Sequence, residues 1–386
     1  MDDLELPTFD LLSAGVRGFE LSERCAGVFH KALGLVTELG TMMHRRYLVS
    51  CLLKITAVAW VFVGAAHGQP VDAIGGILSA FEEHSIVAVG EGHRLEQDKT
   101  FLLSLIARPG FAAKVDDIVV EFGNSLHQPT LDRYMAGRAV PLTELRRVWA
   151  DTTVVNGLWH APVYERFFAA VRERNQSLPK KQKIRVLACD PPIDWAKVRT
   201  LNDAAPFLSR DSFCAAVLER EVLAKGRTAL VVMGDFHISR RHVTGRPLEN
   251  AITFVEGKHP GSAFVVLTYF GQFRDSAMME ERLATGPIPS LSLLRGTWLG
   301  GLPNVGPKPP TRTRVGGGRS ETEQVVVTHP PQLEEVADAL LYLGPKSIFT
   351  RSLPSAERFS ANELHELQRR HQLLFGMALD TQVLYK

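Results

Sequence analysis

Cysteine is scarce in this chain: four residues in 386, at positions 25, 51, 189 and 214, with no C-x-x-C pair among them. That pattern argues against a disulfide framework. Cys189 sits in an apolar run that reads as a buried strand, where a free thiol is the expected state. An excess of one charge is missing too. The 44 Lys and Arg residues nearly balance the 42 Asp and Glu residues, for a net charge of +2. Such a balance carries no signature of a nucleic-acid or polyanion partner. Also missing are a G-x-S-x-G elbow, a G-x-x-x-x-G-K loop and a G-x-G-x-x-G helix opening, which removes the common serine-hydrolase, nucleotide and dinucleotide motifs. No internal repeat is found. What remains is 45% hydrophobic and 22% charged, the composition of a globular domain.

Residues 43–68, "MHRRYLVSCLLKITAVAWVFVGAAHG", read as a secretory signal: a basic start, an apolar run and a small-residue cleavage region. The competing reading is a membrane anchor formed by residues 47–66. Residues 1–42 then form an upstream segment, with Met42 or Met43 as the natural start. On this reading the mature protein begins near Gln69, works outside the cytoplasm as a single domain over 69–386, and meets a membrane only through an uncleaved N-terminal segment.

From residue 83 the pattern alternates. "SIVAVG" (85–90), "DDIVVEFG" (116–123), "KIRVLACD" (183–190), "TALVVMGD" (228–235) and "SAFVVLTYF" (262–270) are short apolar runs. Helical stretches lie between them, such as 95–106 and 211–225, the latter stopped by Gly226. Near-continuous apolar strands separated by helices predict an α/β fold, with a mostly parallel sheet sandwiched by helices. Residues 127–176 predict a helical insertion that caps the sheet, with Trp149, Trp159, Tyr164 and Phe167 as apolar anchors. Residues 302–320, rich in Pro, Gly and Arg, read as an exposed loop. A final helix is expected from Ser360, with Glu363 completing a capping box and Gly376 ending it.

Ligands of open parallel sheets bind at the carboxyl ends of the strands. Those ends carry Glu91 and His93, Glu121, Asp190, and Asp235 with His237. A single acid after a strand is usually a helix cap. Four acid-bearing ends in succession, two of them with a histidine, exceed what capping explains. Glu121 lies between "IVV" and "FGN", and a carboxylate within apolar sequence needs a partner or a task. Two chemistries fit. These six residues could ligate a hard or borderline divalent metal with an open position for water. Alternatively His93 is a general base on water, oriented by Glu91 or Glu121, with His237 as a second acid/base or an oxyanion partner.

Other features carry less. "HELQRRH" (365–371) places its histidines six apart, on different helix faces, and reads as a solvated surface. Tyr134 and Tyr164 read as core or interface residues. The Arg-rich loop (Arg312, Arg314, Arg319) reads as solvated, and with the cap helices it would define the substrate.

With those residues in place, the chain resembles the erythromycin esterase, ChaN and Tiki superfamily. The resemblance rests on "GEGH" (90–93), "VVEFGNS" (119–125) and "GDFH" (234–237), with "QPTLDRYMAG" (128–137) similar to a ChaN-like segment. It covers roughly residues 80–270. It implies an α/β sandwich with its site at these strand ends, and three activities, one of them the metal-dependent proteolysis of Tiki-like members. Esterase-like members are hydrolases, a role that would fall on His93 as activator of water, with Glu121 and His237 in support. ChaN-like members, which share the shorter Gly-Glu-x-His spacing, bind haem or iron without turnover. The expectation is therefore a hydrolase acting on a small molecule through Glu91, His93, Glu121, Asp235 and His237. A haem- or iron-binding protein is the alternative.

Overall fold

Branched apolar runs occupy the middle of a single large sheet because both of its faces are covered. The computed structural model describes residues 69–386, apart from 309, 310, 317, 318, 326 and 386. The upstream segment and the signal or anchor segment lie outside the described residues. Among those described, no helix is long and apolar enough to cross a membrane.

The strands are β1 (Val71–Asp72), β2 (Ile86–Gly90), β3 (Asp117–Asn124), β4 (Arg185–Asp190), β5 (Ala229–Met233), β6 (Ala263–Tyr269), β7 (Ser290–Leu293), β8 (Thr311–Gly316), β9 (Arg319–Gln324) and β10 (Ala339–Tyr342). Eight of them form one sheet in the order β1-β7-β10-β6-β2-β5-β3-β4. From β10 to β4 every neighbouring pair is parallel, while β7 runs antiparallel to β10 and to β1. The mostly parallel α/β sheet expected from the sequence is therefore present. The five expected strands lie at its centre and one edge. β7 and β10, only four residues each, extend the other edge.

Alternation along each strand sends Val87 and Val89 to one core and Ile86 and Ala88 to the other. On the first face lie α1 (Ala73–Ala80), α2 (Glu96–Ala107), α3 (Gln128–Met135), α4 (Leu142–Ala150) and α5 (Pro162–Ser177). They contribute Phe101, Leu131, Trp149, Phe167 and Phe168, among others. Helices α3 to α5 make up the insertion. They lie against the sheet face, and the turn at 157–160 with Tyr164 reaches the strand ends. On the second face lie α6 (Arg210–Val217) with its continuation to Lys225, α7 (Asp235–Ile238) and α8 (Ala251–Lys258). Gly226, at φ +61°, stops the continuation. The last helix, α9 (Ala361–Phe375), has the Ser360–Glu363 capping box and the left-handed Gly376 that its sequence predicts.

Two expectations change. Residues 302–320 were expected as loop, but β8 and β9 pair as an antiparallel hairpin, with Arg312 opposite Glu323 and Arg314 opposite Glu321. The alternation of Thr with charged residues around Gly316 is the hairpin signal. Cys189 was expected as a free thiol, but it is bonded to Cys214. The pairing follows from packing. Helix α6 lies against β4 and brings the two Cα atoms to 4.7 Å, within the range a disulfide spans.

The chain from Gln69 onward contains no other cysteine, so the bond is simple to test. Alkylation of that unfolded chain should modify no residue without reductant and two with it. Reduction should lower stability in urea by about 3 kcal/mol, as expected for a closed loop of this length.

Candidate functional site

Strand β2 lies between β5 and β6, so the turn that follows it emerges at the middle of the sheet. The Glu91 N–H continues the ladder by donating to the Met233 carbonyl at 2.7 Å. Arg94 then takes a left-handed conformation (φ +63°) and α2 begins. This tight path buries Glu91, which accepts from the Tyr164 hydroxyl at 2.8 Å. Lys99, buried on the first turns of α2, reaches back to Glu91 Oε1 at 2.6 Å and to Asp98 at 3.1 Å. Burial alone would neutralise Glu91, but the charges of Lys99 and His93 outweigh it and hold its pKa at about 2. Asp98 differs: burial dominates and pushes it up to about 6.

Glu121 occupies the point where β3 loses its regular register after Val120. Its Oε1 accepts from the Gly234 N–H at 2.8 Å, and its Oε2 accepts from Arg210 at 3.2 Å. His237 is engaged on both sides, Nδ1 with Asp211 at 2.8 Å and Nε2 with Glu121 at 3.4 Å. Arg210 also donates to Asp190 at 3.0 Å. Asp190 accepts two further bonds from Thr153, at 2.6 and 2.7 Å, and burial raises its pKa to about 6.

His93 stands at the front of this group. Its Nδ1 lies 3.7 Å from Glu91 Oε2 and 3.8 Å from Glu121 Oε1, while 37% of its side chain is exposed. The ring meets Trp159 edge-to-face at 5.1 Å. Burial disfavours the imidazolium, yet the two carboxylates overcome it and raise the pKa above 6.5. Asp235 sits on the other side of β2, where burial, reinforced by the Asp98 charge, pushes its pKa to about 7. Two glycines permit this crowding. A Cβ on Gly90 would lie 1.9 Å from Asp235 Oδ1, and one on Gly234 would lie 3.0 Å from His93 Cε1.

An open cleft of about 560 Å³ has Glu91, His93, Asp235 and His237 lining its floor. Of the six sequence-predicted residues, Glu91, His93 and Glu121 bring one ligand atom each to within 4.8 Å of one another. His237 joins them through Glu121. Asp235 faces the same cleft across Gly90, and Asp190 is connected only through Arg210. Glu91 Oε2 and His93 Nδ1 are buried and have no hydrogen-bond partner. Two carboxylate oxygens and an imidazole nitrogen with unused capacity fit a divalent cation.

Sequence reasoning missed Lys99, Arg210, Asp98 and Asp211. They lie in helical stretches, where charge ordinarily means solvent. Tyr164 is a core residue as expected, and it also bonds Glu91. In α9, His365 is exposed and His371 bonds the Met377 carbonyl, so "HELQRRH" forms no site.

No family model matches the chain, and no characterised protein matches it in sequence. Among solved structures it is similar to a succinoglycan biosynthesis protein, at 12% identity over 73% of this chain and 95% of that one (TM-score 0.46). It is similar to the erythromycin esterase EreC, at 12% identity over 70% and 93% (TM-score 0.44). It is also similar to ChaN of Campylobacter jejuni, solved with cofacial haem, at 14% identity over 53% and 88% (TM-score 0.36). These are similarities of fold.

The Glu91–Lys99 pair gives a pH test. In the native chain, stabilisation from Glu91 is complete above its unfolded pKa of 4.5 and is lost as pH falls toward 2. Lys99→Met leaves Glu91 buried without that cation, which raises its pKa and should cost about 3–5 kcal/mol at neutral pH. The deficit should shrink as pH falls toward and below 4.5. Urea unfolding of both proteins at neutral and acidic pH measures it.

Proposed function

We propose that the chain is a hydrolase that acts on a small molecule outside the cytoplasm, with His93 as the base that activates water. The observation that carries this reading is the placement of His93. Its imidazole opens into the cleft, while its Nδ1 lies between two buried carboxylates at 3.7 and 3.8 Å. A carboxylate beside an imidazole makes it a stronger base and stabilises the imidazolium formed when it takes a proton. Glu121 is fixed by Gly234, Arg210 and His237, and Glu91 by Lys99 and Tyr164, so neither carboxylate has to reorganise during the reaction. Water gives its proton to His93 and its oxygen attacks the acyl carbon. The collapsing intermediate expels the leaving group, which takes a proton from Asp235. A pKa of about 7 suits Asp235 to donate near neutrality.

Location outside the cytoplasm rests on the basic and apolar segment at 43–68 and is supported by the Cys189–Cys214 bond. Disulfides persist in oxidising compartments.

A divalent metal on Glu91, His93 and Glu121 is the second reading, favoured by the two buried atoms without partners. Bound there, it would acidify a water at neutral pH. Calorimetric titration of Zn²⁺ and Mn²⁺ into the native chain and Glu121→Gln tests it. Saturable binding lost in the variant, together with activity lost on chelation, would replace His93 as the activator.

On an ester and amide panel, His93→Ala should lower kcat at least about 100-fold with the circular dichroism spectrum unchanged. The kcat/KM profile should be bell-shaped. Its acid limb lies above 6.5, because His93 must be neutral, and its alkaline limb lies near 7, because Asp235 must be protonated. Asp235→Asn should slow the reaction and flatten the alkaline limb. A haem titration giving a saturable Soret shift that His93→Ala abolishes, with no turnover on the panel, would favour the binding protein instead.

A further inference from the structure

The floor of the cleft balances its own charge, because Lys99 and Arg210 answer the carboxylates of Glu91 and Glu121. The rim does not. Lys346 and Arg351 both line the cleft and are exposed. Among the described residues, neither side chain has an ion-pair or hydrogen-bond partner.

The backbone that carries these cations is held in place. The segment from Gly344 to Ser352 follows β10 and is pinned to α2 and its approach. Gln97 donates to the Ile348 carbonyl at 2.6 Å and accepts from the Thr350 N–H at 2.9 Å. Glu96 N–H donates to Thr350 and Ser352 N–H to Arg94, Leu95 bridges to Arg351, and Glu280 accepts from the Lys346 N–H at 2.7 Å. The Lys346 stem runs over Gly271, where an added Cβ would lie 2.5 Å from its Cδ. Gly271 therefore leaves room for the stem that carries the ammonium. Apolar surface adjoins these charges: Phe236 lines the same cleft with 55% of its surface exposed, beside Phe270 and Phe349. A large exposed aromatic next to polar chemistry marks ligand contact more than folding.

We propose that the outer part of the cleft is a subsite for an apolar molecule bearing a carboxylate, which Lys346 and Arg351 bind through its charge and Phe236 through its apolar body. Resting on the hydrolase reading, this names the substrate class: an ester or amide whose apolar part carries an acidic group away from the bond that is cut. Arg351 can grip a carboxylate with two parallel N–H donors, and Lys346 adds a point charge.

The test is an equilibrium fluorescence titration of the full chain with pyrenebutyrate and with pyrenebutanol, which share a ring system and differ in charge. The butyrate should bind roughly tenfold tighter, and salt should erode that preference. Lys346→Gln with Arg351→Gln should abolish the preference and leave the alcohol unchanged, which also reports an intact fold. Phe236→Ala should weaken both probes. Equal binding of the two probes, a preference that survives in the double variant, or no saturable binding of the butyrate would overturn the subsite. Since no turnover is involved, a preference that behaves as expected in a chain that cleaves no ester or amide would overturn the hydrolase reading alone.

Discussion

A carboxyl buried at the end of a strand stays ionised when a cation is buried against it, and the 2.6 Å pair of Lys99 with Glu91 meets that condition. It ties helix α2 to the exit of β2. The Lys99 ammonium also lies 5.6 and 5.2 Å from the ring centroids of Phe122 and Tyr164, so the first-face core packs around it. Tyr164 then spends its hydroxyl on Glu91. The same logic recurs at Glu121, where Arg210 supplies the cation and hands the remainder of its charge to Asp190. With both carboxylates settled in this way, His93 is left as the group in their midst that opens to the cleft.

Much of this was legible in the sequence. Runs such as "IVAVG" and "ALVVM" announced strands, and the acids and histidines that follow them announced the end of the sheet where ionisable groups gather. Glu121 stood out because a carboxylate within "IVVEFGN" has no ordinary reason to be there. The partners were not legible. Lys99 and Arg210 lie on helices whose charges look solvated in one dimension, and only the packing of α2 and α6 against the strand ends buries them. Cys189 and Cys214 are 25 residues apart and gave no pairing signal, because their proximity belongs to the contact between α6 and β4. β10 spans four residues, too short for periodicity to speak. Asp190 has the right place in the pattern, but its oxygens are used by Thr153 and Arg210.

The cleft changes character with depth. At the floor, charges are paired, buried and fixed, an arrangement suited to moving a proton without rearranging dipoles. At the rim, charges are exposed and unanswered, which suits recognition. One helix connects the two levels. The first turn of α2 carries Lys99 below and Gln97 above, the latter fastened to the segment that bears Arg351.

Gly90 and Gly234 give the molecule a particular relation to its own descent. At each, the packing of the cleft floor depends on a hydrogen atom where every other residue type would place carbon. Single substitutions on the surface can accumulate unnoticed, but an added side chain at 90 meets Asp235 and one at 234 meets His93. A lineage that keeps this arrangement of side chains must keep both hydrogens, and one that has abandoned it is released to fill them. Loss of either glycine would then be the mark by which a descendant with a rearranged cleft floor could be told from one that keeps it.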